Sequence, residues 1–284
     1  MAILSERVRE YAPNPLDRQP DSGAACCVAL VNNRLVQVLE PSEPPSQLAQ
    51  LIHDQFRALV LSAGFSCLGA QAAIRAGRYR MGIYGELGLP DVTRDLAAHL
   101  SAFVEADDPS AHSLTTFVAS FSGPAPTDEL EFERLLWAQL QALHDQYGRG
   151  HRWDPSVSSD PEDASFSFSF AGRAFFVVGL HAASSRWARR FAWPTLVFNP
   201  HHQFKHLRQQ GTFARLQERI RARELALQAT LNANLSEFGE RSEARQYAGR
   251  PVEDAWQCPF QARNPNPEHP LESLETAVGF PRPR

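Results

Sequence analysis

The sequence predicts an α+β fold: a single mixed domain with a largely antiparallel sheet and helices packed against it. Three observations carry this expectation. Short apolar or alternating runs read as strands along most of the chain, and stripes of helical period lie between them. The pairs Asn32-Asn33 and Ala171-Gly172 also fall where hairpins should turn.

Residues 1–24 are proline-bearing and aperiodic, so they read as a flexible N-terminal arm, and the domain is expected over 25–260. CCVALVNNRLVQVLE, from Cys26, reads as two strands around Asn32-Asn33. Ser46 is placed to cap a helix carrying Leu48, Leu51, Ile52, Phe56, Leu59 and Val60, with Gly64 as its stop. LGAQAAIRAG starts a second helix directly after Cys67 and ends at Gly77, and RYRMGIYGEL then reads as a strand. Asp91 or Thr93 can cap a helix with Leu96, Leu100, Phe103 and Val104, and LTTFVASF at 114–121 is the next strand.

Thr127 opens the clearest helix, in which Leu136, Leu140, Leu143 and Tyr147 share one face and Gly148 closes the pattern. SFSFSFAGRAFFVVGLH, at 165–181, reads as a hairpin with a more buried second strand. PTLVFN at 194–199 adds a strand, and Thr212 precedes a helix with Phe213, Leu216 and Ile220 on one face. The stretch 261–284 is a proline-rich C-terminal tail, read as wrapping the surface or partly disordered.

Composition excludes several function classes. Hydrophobic residues make up 43% and charged ones 21% of 284 residues, which fits a folded globular chain and neither a disordered nor a fibrous one. With 28 basic and 32 acidic residues the net charge is −4, so phosphate-backbone binding has little support and no nucleic-acid partner is expected. No apolar stretch approaches the roughly 20 residues that span a bilayer, and the N-terminus lacks the apolar block of a signal peptide. The expectation is a cytoplasmic protein without a membrane partner.

Cys26, Cys27, Cys67 and Cys258 form neither a disulfide framework nor a CxxC zinc pattern. Cys67, in FSCLGA, stands at the start of a helix, where backbone N–H groups lower a thiol pKa and favour metal ligation; the bland reading is a buried small hydrophobe. Gly69 would let the backbone approach a flat ligand. His181 ends one buried strand, and His201 and His202 follow another, so they either line a pocket or make ordinary loop hydrogen bonds. Ser184, Ser185, Arg186, Arg189 and Arg190 in SSRWARRF suit a ligand carboxylate, and a solvated turn is the alternative. Around 240–247, Glu240, Glu243 and Arg245 either pair on the surface or offer a carboxylate to a guanidinium. Asp154, Asp160 and Asp163 lack the calcium-loop pattern and read as turn formers. Neither a GxSxG elbow nor a Gly-rich phosphate loop is present.

The ordered blocks FSCLGAQAA, YRMGIYGELG, WDPSVSSDP, FSFSFAGRAFFVVGLH, SSRWARRF, LVFNPHHQF, FGERSEARQYAGR and WQCPF together resemble the bacterial YqcI/YcgG family over roughly residues 50–260. The resemblance implies a heme-dependent monooxygenase that N-hydroxylates the guanidino group of L-arginine or a related amino acid in specialised-metabolite biosynthesis. It implies a pocket for heme b enclosed by the helices and sheet, with dioxygen as co-substrate and an external electron donor, since no reductase domain is visible. Cys67 is then the axial iron ligand, because hydroxylating nitrogen favours a thiolate, and His201 is the runner-up. His181, Arg186, Arg190 and Arg245 are carried over as cofactor-pocket residues, and Glu243 and His201 as the catalytic pair. Ser66 and Gln71 depart from a proline and a lysine usual in the family, which puts substrate contacts in doubt more than heme binding. Two other classes remain open: a non-catalytic heme sensor or carrier, and a cofactor-free binding module.

Overall fold

The computed structural model describes residues 25–111, 113–236 and 239–263, so the expected arm at 1–24 and the tail beyond 263 lie outside the described residues. Strands β1 (Cys26–Val31) and β2 (Arg34–Gln37) form the first hairpin. Its turn residues Asn32 and Asn33 have φ of 49° and 61°, the left-handed values that asparagine tolerates and a tight two-residue turn needs. Helix α1 (Gln47–Leu61) begins at Ser46, whose Oγ accepts the Ala49 N–H at 3.1 Å, and ends before Gly64. Helix α2 (Leu68–Arg75) follows Cys67 directly, and Gly77 turns the chain at φ 66° into β3 (Tyr79–Glu86).

Helix α3 (Pro90–Ala106) starts one residue before the expected caps. Proline needs no N–H partner in a first turn, and Thr93 Oγ1 donates back to Leu89 O at 2.9 Å instead of capping. After β4 (Thr116–Gly123), Asp128 rather than Thr127 caps α4 (Glu129–Leu143), while Thr127 binds the Glu131 carboxylate from outside the helix. A single π-helical turn, His144–Gly148, completes the stripe to Tyr147. Strands β5 (Phe168–Phe170) and β6 (Arg173–Leu180) turn at Ala171 and Gly172, both at positive φ. A 3-10 turn at Trp187–Arg189 leads to β7 (Thr195–Pro200), followed by α5 (His202–Gln209), α6 (Phe213–Gln228) and the short α7 (Ala244–Tyr247).

The seven strands form one mixed α+β sheet in the order β2-β1-β3-β4-β7-β6-β5. All named pairings are antiparallel except β3 with β4, which runs parallel from Tyr79↔Thr116 because α3 carries the chain back between them. On one face, Ile52, Phe56, Val60 and Ile74 of α1 and α2 pack on Val28, Met81, Val118 and Val197. On the other, Leu96, Leu100, Leu136 and Leu140 of α3 and α4 cover Phe117, Ala119, Phe121, Phe175 and Phe198. Helix α4 lies so close to β6 that a Cβ at Gly179 would stand 2.4 Å from Phe132 Cε1.

The expectation that β6 is the better buried strand of its hairpin is corrected. All of β5 is buried, because the segment at 153–158 and α7 cover its serine side. Ser169 Oγ accepts the Asp154 N–H at 3.0 Å, and Ser167 Oγ donates to Glu243 Oε1 at 2.6 Å. Asp154, Asp160 and Asp163 each accept the N–H two residues on, the turn role expected of them.

Candidate functional site

A cavity of about 280 Å³ opens where α2 starts, between the sheet and the outer helices. Phe56 and Val60 of α1 face Phe176, Val178 and Leu180 of β6 and Val197 of β7, and Phe204 of α5 and Ile220 of α6 close the far side. The lining is mainly aliphatic and aromatic. Cys67, Arg186, Arg189 and Glu224 are its ionisable groups.

Cys67 is the N-cap of α2, and its Sγ accepts the Ala70 N–H at 3.4 Å. The expectation of a lowered thiol pKa is corrected: burial pushes the thiol above its usual value, and the N–H groups of Ala70 and Gly69 oppose this without overcoming it. A neutral thiol therefore waits in the protein alone, and a bound cation would be needed to hold the thiolate. Gly69 also lines the cavity, and a Cβ there would meet Leu114 Cδ1 at 3.7 Å, ordinary contact that makes glycine tolerated more than required.

The three arginines in SSRWARRF separate. Arg186 reaches the cavity already bound to the Glu224 carboxylate, Thr230 Oγ1 at 3.1 Å and Thr230 O at 2.8 Å. Arg190 turns outward, donating to Ser184 O at 2.6 Å with its guanidinium 5.8 Å from the Trp187 ring. Arg189, which sequence reasoning passed over in favour of its neighbours, lines the cavity, and burial lowers its pKa to about 10.

His181 lies beyond the end of β6 on the α4 side, fully buried and stacked on Phe132 with ring centroids 4.2 Å apart. Neither ring nitrogen has a hydrogen-bond partner among the described residues, and burial draws its pKa down to about 4. It does not line the Cys67 cavity. Arg245 is also elsewhere: it donates to Trp256 O at 3.0 Å, lies 5.4 Å from the Trp256 ring, and borders a surface pocket with Glu240, Arg241 and Asp254. His202 joins Arg173 and Asp107 in a bracket between β6 and the end of α3, with Arg173 Nη1 2.9 Å from Asp107 Oδ2.

Glu243 and His201 do come together, with Glu243 Oε2 3.6 Å from His201 Nε2. Oε1 accepts from Ser167 Oγ at 2.6 Å and Tyr247 Oη at 2.8 Å, and Tyr247 Oη also accepts the Phe168 N–H at 3.0 Å. Burial raises Tyr247 well above the usual phenol value, so it stays a donor. His201 and Glu243 line a smaller cavity of about 150 Å³. Phe176, Phe204, Leu235 and Gln246 line both cavities and so form the wall between them. Among the described residues no cluster of three or more His, Cys, Asp or Glu could hold a metal ion by side chains alone, so a lone Cys67 would need a ligand that brings its own donors.

The cavity combines one thiol, apolar walls and the side chains of Arg186 and Arg189, the kinds of group on which a heme-type ring with an iron centre and acid groups would call.

No solved structure matches this chain. The Bacillus subtilis (strain 168) protein YqcI is 25% identical over 205 residues, covering 69% of this chain and 80% of the relative. YcgG of the same organism is 26% identical over 205 residues with the same coverage, and both are described as uncharacterized. The family model for YqcI/YcgG matches residues 56–261, a span that takes in the helix start at Cys67, both cavities and α7, and the chain belongs to the YqcI/YcgG family.

Proposed function

We propose that the protein is a heme-dependent monooxygenase that N-hydroxylates the guanidino group of arginine or a related amino acid. The observation that carries the reading is Cys67 Sγ at the N-terminus of α2, facing an apolar cavity whose wall is shared with the Glu243–His201 pair. When bound, heme with a thiolate ligand would supply the oxygen chemistry, taking dioxygen and two external electrons and leaving one oxygen on nitrogen and one in water.

The chain's own residues bind and orient. Cys67 would hold the iron. Arg186, fixed by Glu224 and Thr230, keeps the 3-10 turn and α6 together around the cavity. Phe56, Phe176, Val178 and Phe204 exclude water, which strengthens every polar contact inside. Glu243 is the guanidinium acceptor: it lines the smaller cavity, and Ser167 and Tyr247 fix the carboxylate through Oε1. His201 Nε2, beside Oε2, can hold or release a proton there.

Turnover tests the reading. Reconstituted protein given L-arginine, dioxygen and a reductant should form a hydroxyguanidine. Glu243→Gln should keep the heme spectrum but lower kcat/KM by about 10–100-fold, the loss expected from a charge-assisted hydrogen bond of about 1.5–3 kcal/mol. Unchanged kcat/KM in Glu243→Gln would remove Glu243 from the site. A second reading, heme binding without turnover, is favoured by one observation: Oε1 of Glu243 is already doubly hydrogen-bonded within the protein. A normal heme spectrum with no product would select it.

A further inference from the structure

The larger cavity contains a cation, Arg189, that forms no ion pair among the described residues. Arg189 Nη1 donates to Tyr247 O at 2.9 Å and Gly179 O at 3.4 Å, and its Nε and Nη2 have no hydrogen-bond partner among the described residues. Glu224 is the cavity's carboxylate, and it is engaged by Arg186. The chain makes room for this guanidinium at Gly249, where φ is +93° and a Cβ would stand 2.6 Å from Arg189 Cδ and 2.9 Å from Nη1. A half-buried guanidinium that lines a cavity walled by phenylalanine, valine and leucine side chains, with Nε and Nη2 left to the lumen, is a ready partner for an anion that enters it. Its planar fork matches a carboxylate, which accepts two parallel N–H bonds.

We propose that Arg189 is a carboxylate-anchoring site, holding the acid group of a ligand whose apolar body fills the rest of the Cys67 cavity. The inference deepens the heme reading and rests on it only for which ligand brings the acid. A porphyrin propionate and the α-carboxylate of an amino acid present the same chemistry to the fork. Arg186 and Arg190 do not share the role: Arg186 is ion-paired with Glu224, and Arg190 is exposed and does not line the cavity.

Two probe pairs, each differing by the acid group, test the site on the full chain: metal-free protoporphyrin IX against its dimethyl ester, followed by porphyrin fluorescence, and L-arginine against agmatine, followed by calorimetry. In at least one pair the wild type should prefer the acid by roughly tenfold or more, the factor carried by a charge-assisted hydrogen bond. Arg189→Met should abolish that preference while binding the neutral partner as before, which also certifies its fold, and Arg190→Met should keep it. If Arg189→Met does not fold, Arg189→Lys, which keeps the charge without the fork, should bind the acid more weakly than the wild type.

Preference in the porphyrin pair assigns Arg189 to a propionate, and preference in the arginine pair assigns it to the substrate carboxylate. If no porphyrin binds but L-arginine is preferred, the anchoring site stands and the heme reading falls. The anchoring site is overturned if neither pair is discriminated, or if the preference survives unchanged in the Arg189 variants, whatever the heme spectrum shows.

Discussion

Arg250 and Glu133 are 117 residues apart in sequence, yet Arg250 Nε donates to Glu133 Oε2 at 2.6 Å with both side chains about nine-tenths buried. Removing one partner leaves the other charge stranded, so Arg250→Met should cost about 3–5 kcal/mol in urea unfolding. The double variant Arg250→Met with Glu133→Leu should recover most of that loss, and a double variant as unstable as the single one would show that the pair was not the cause. Such pairings mark the limit of sequence reading at this scale. Cys67 was legible because its setting, a helix start, is local. Arg189 was not separable from Arg186 and Arg190, because a 3-10 turn sends the three guanidinium groups in different directions. The Ser167–Glu243 bond joins residues 76 positions apart, so a glutamate legible as an acceptor gave no hint of which groups fix it.

Elements were legible where period and punctuation agreed. The hairpin at Asn32-Asn33, the Ser46 cap and the α4 stripe are local patterns, and each forms as its residues dictate. The start of α3 shifted because Pro90 fits a first turn better than a capping side chain could. Burial of β5 was missed because the layer covering its serines comes from distant segments. Close packing of α4 on β6 rests on one missing side chain: Gly179→Ala would force its Cβ to within 2.8 Å of Phe132 Cζ and 2.9 Å of Leu136 Cδ1. Overpacking of this kind should cost about 1–3 kcal/mol, measurable as a lower midpoint of denaturant unfolding. An unaltered midpoint would mean that α4 can slide away from the sheet without penalty.

At the scale of the whole molecule, the class of fold followed from the mixture of runs, but the sheet order did not. The parallel β3–β4 pairing depends on α3 returning across one face, and β7 inserts between β4 and β6 from far along the chain. Folding into two helical layers also buries histidines on the α3 and α4 side. Burial lowers both His99 and His181 from 6.5 to about 4. Because the folded state holds them neutral, their contribution to stability is complete above about pH 6.5 and is lost as pH falls toward 4, with a slope of up to about 1.4 kcal/mol per pH unit for each group. Urea unfolding between pH 7 and 4.5 should show this fall, and His181→Gln should make it shallower. Equal slopes for variant and wild type would exclude His181 from the effect.

If Cys67 holds the iron of a heme in the apolar cavity, as proposed, the visible spectrum of the full chain produced with a heme precursor will report it. The ferrous protein under carbon monoxide should show the red-shifted Soret band of thiolate ligation, and Cys67→Ala should lose that band while remaining folded. A shorter-wavelength band present equally in both proteins would move the iron to a histidine such as His201, and the absence of any Soret band in the wild type would contradict the heme reading itself.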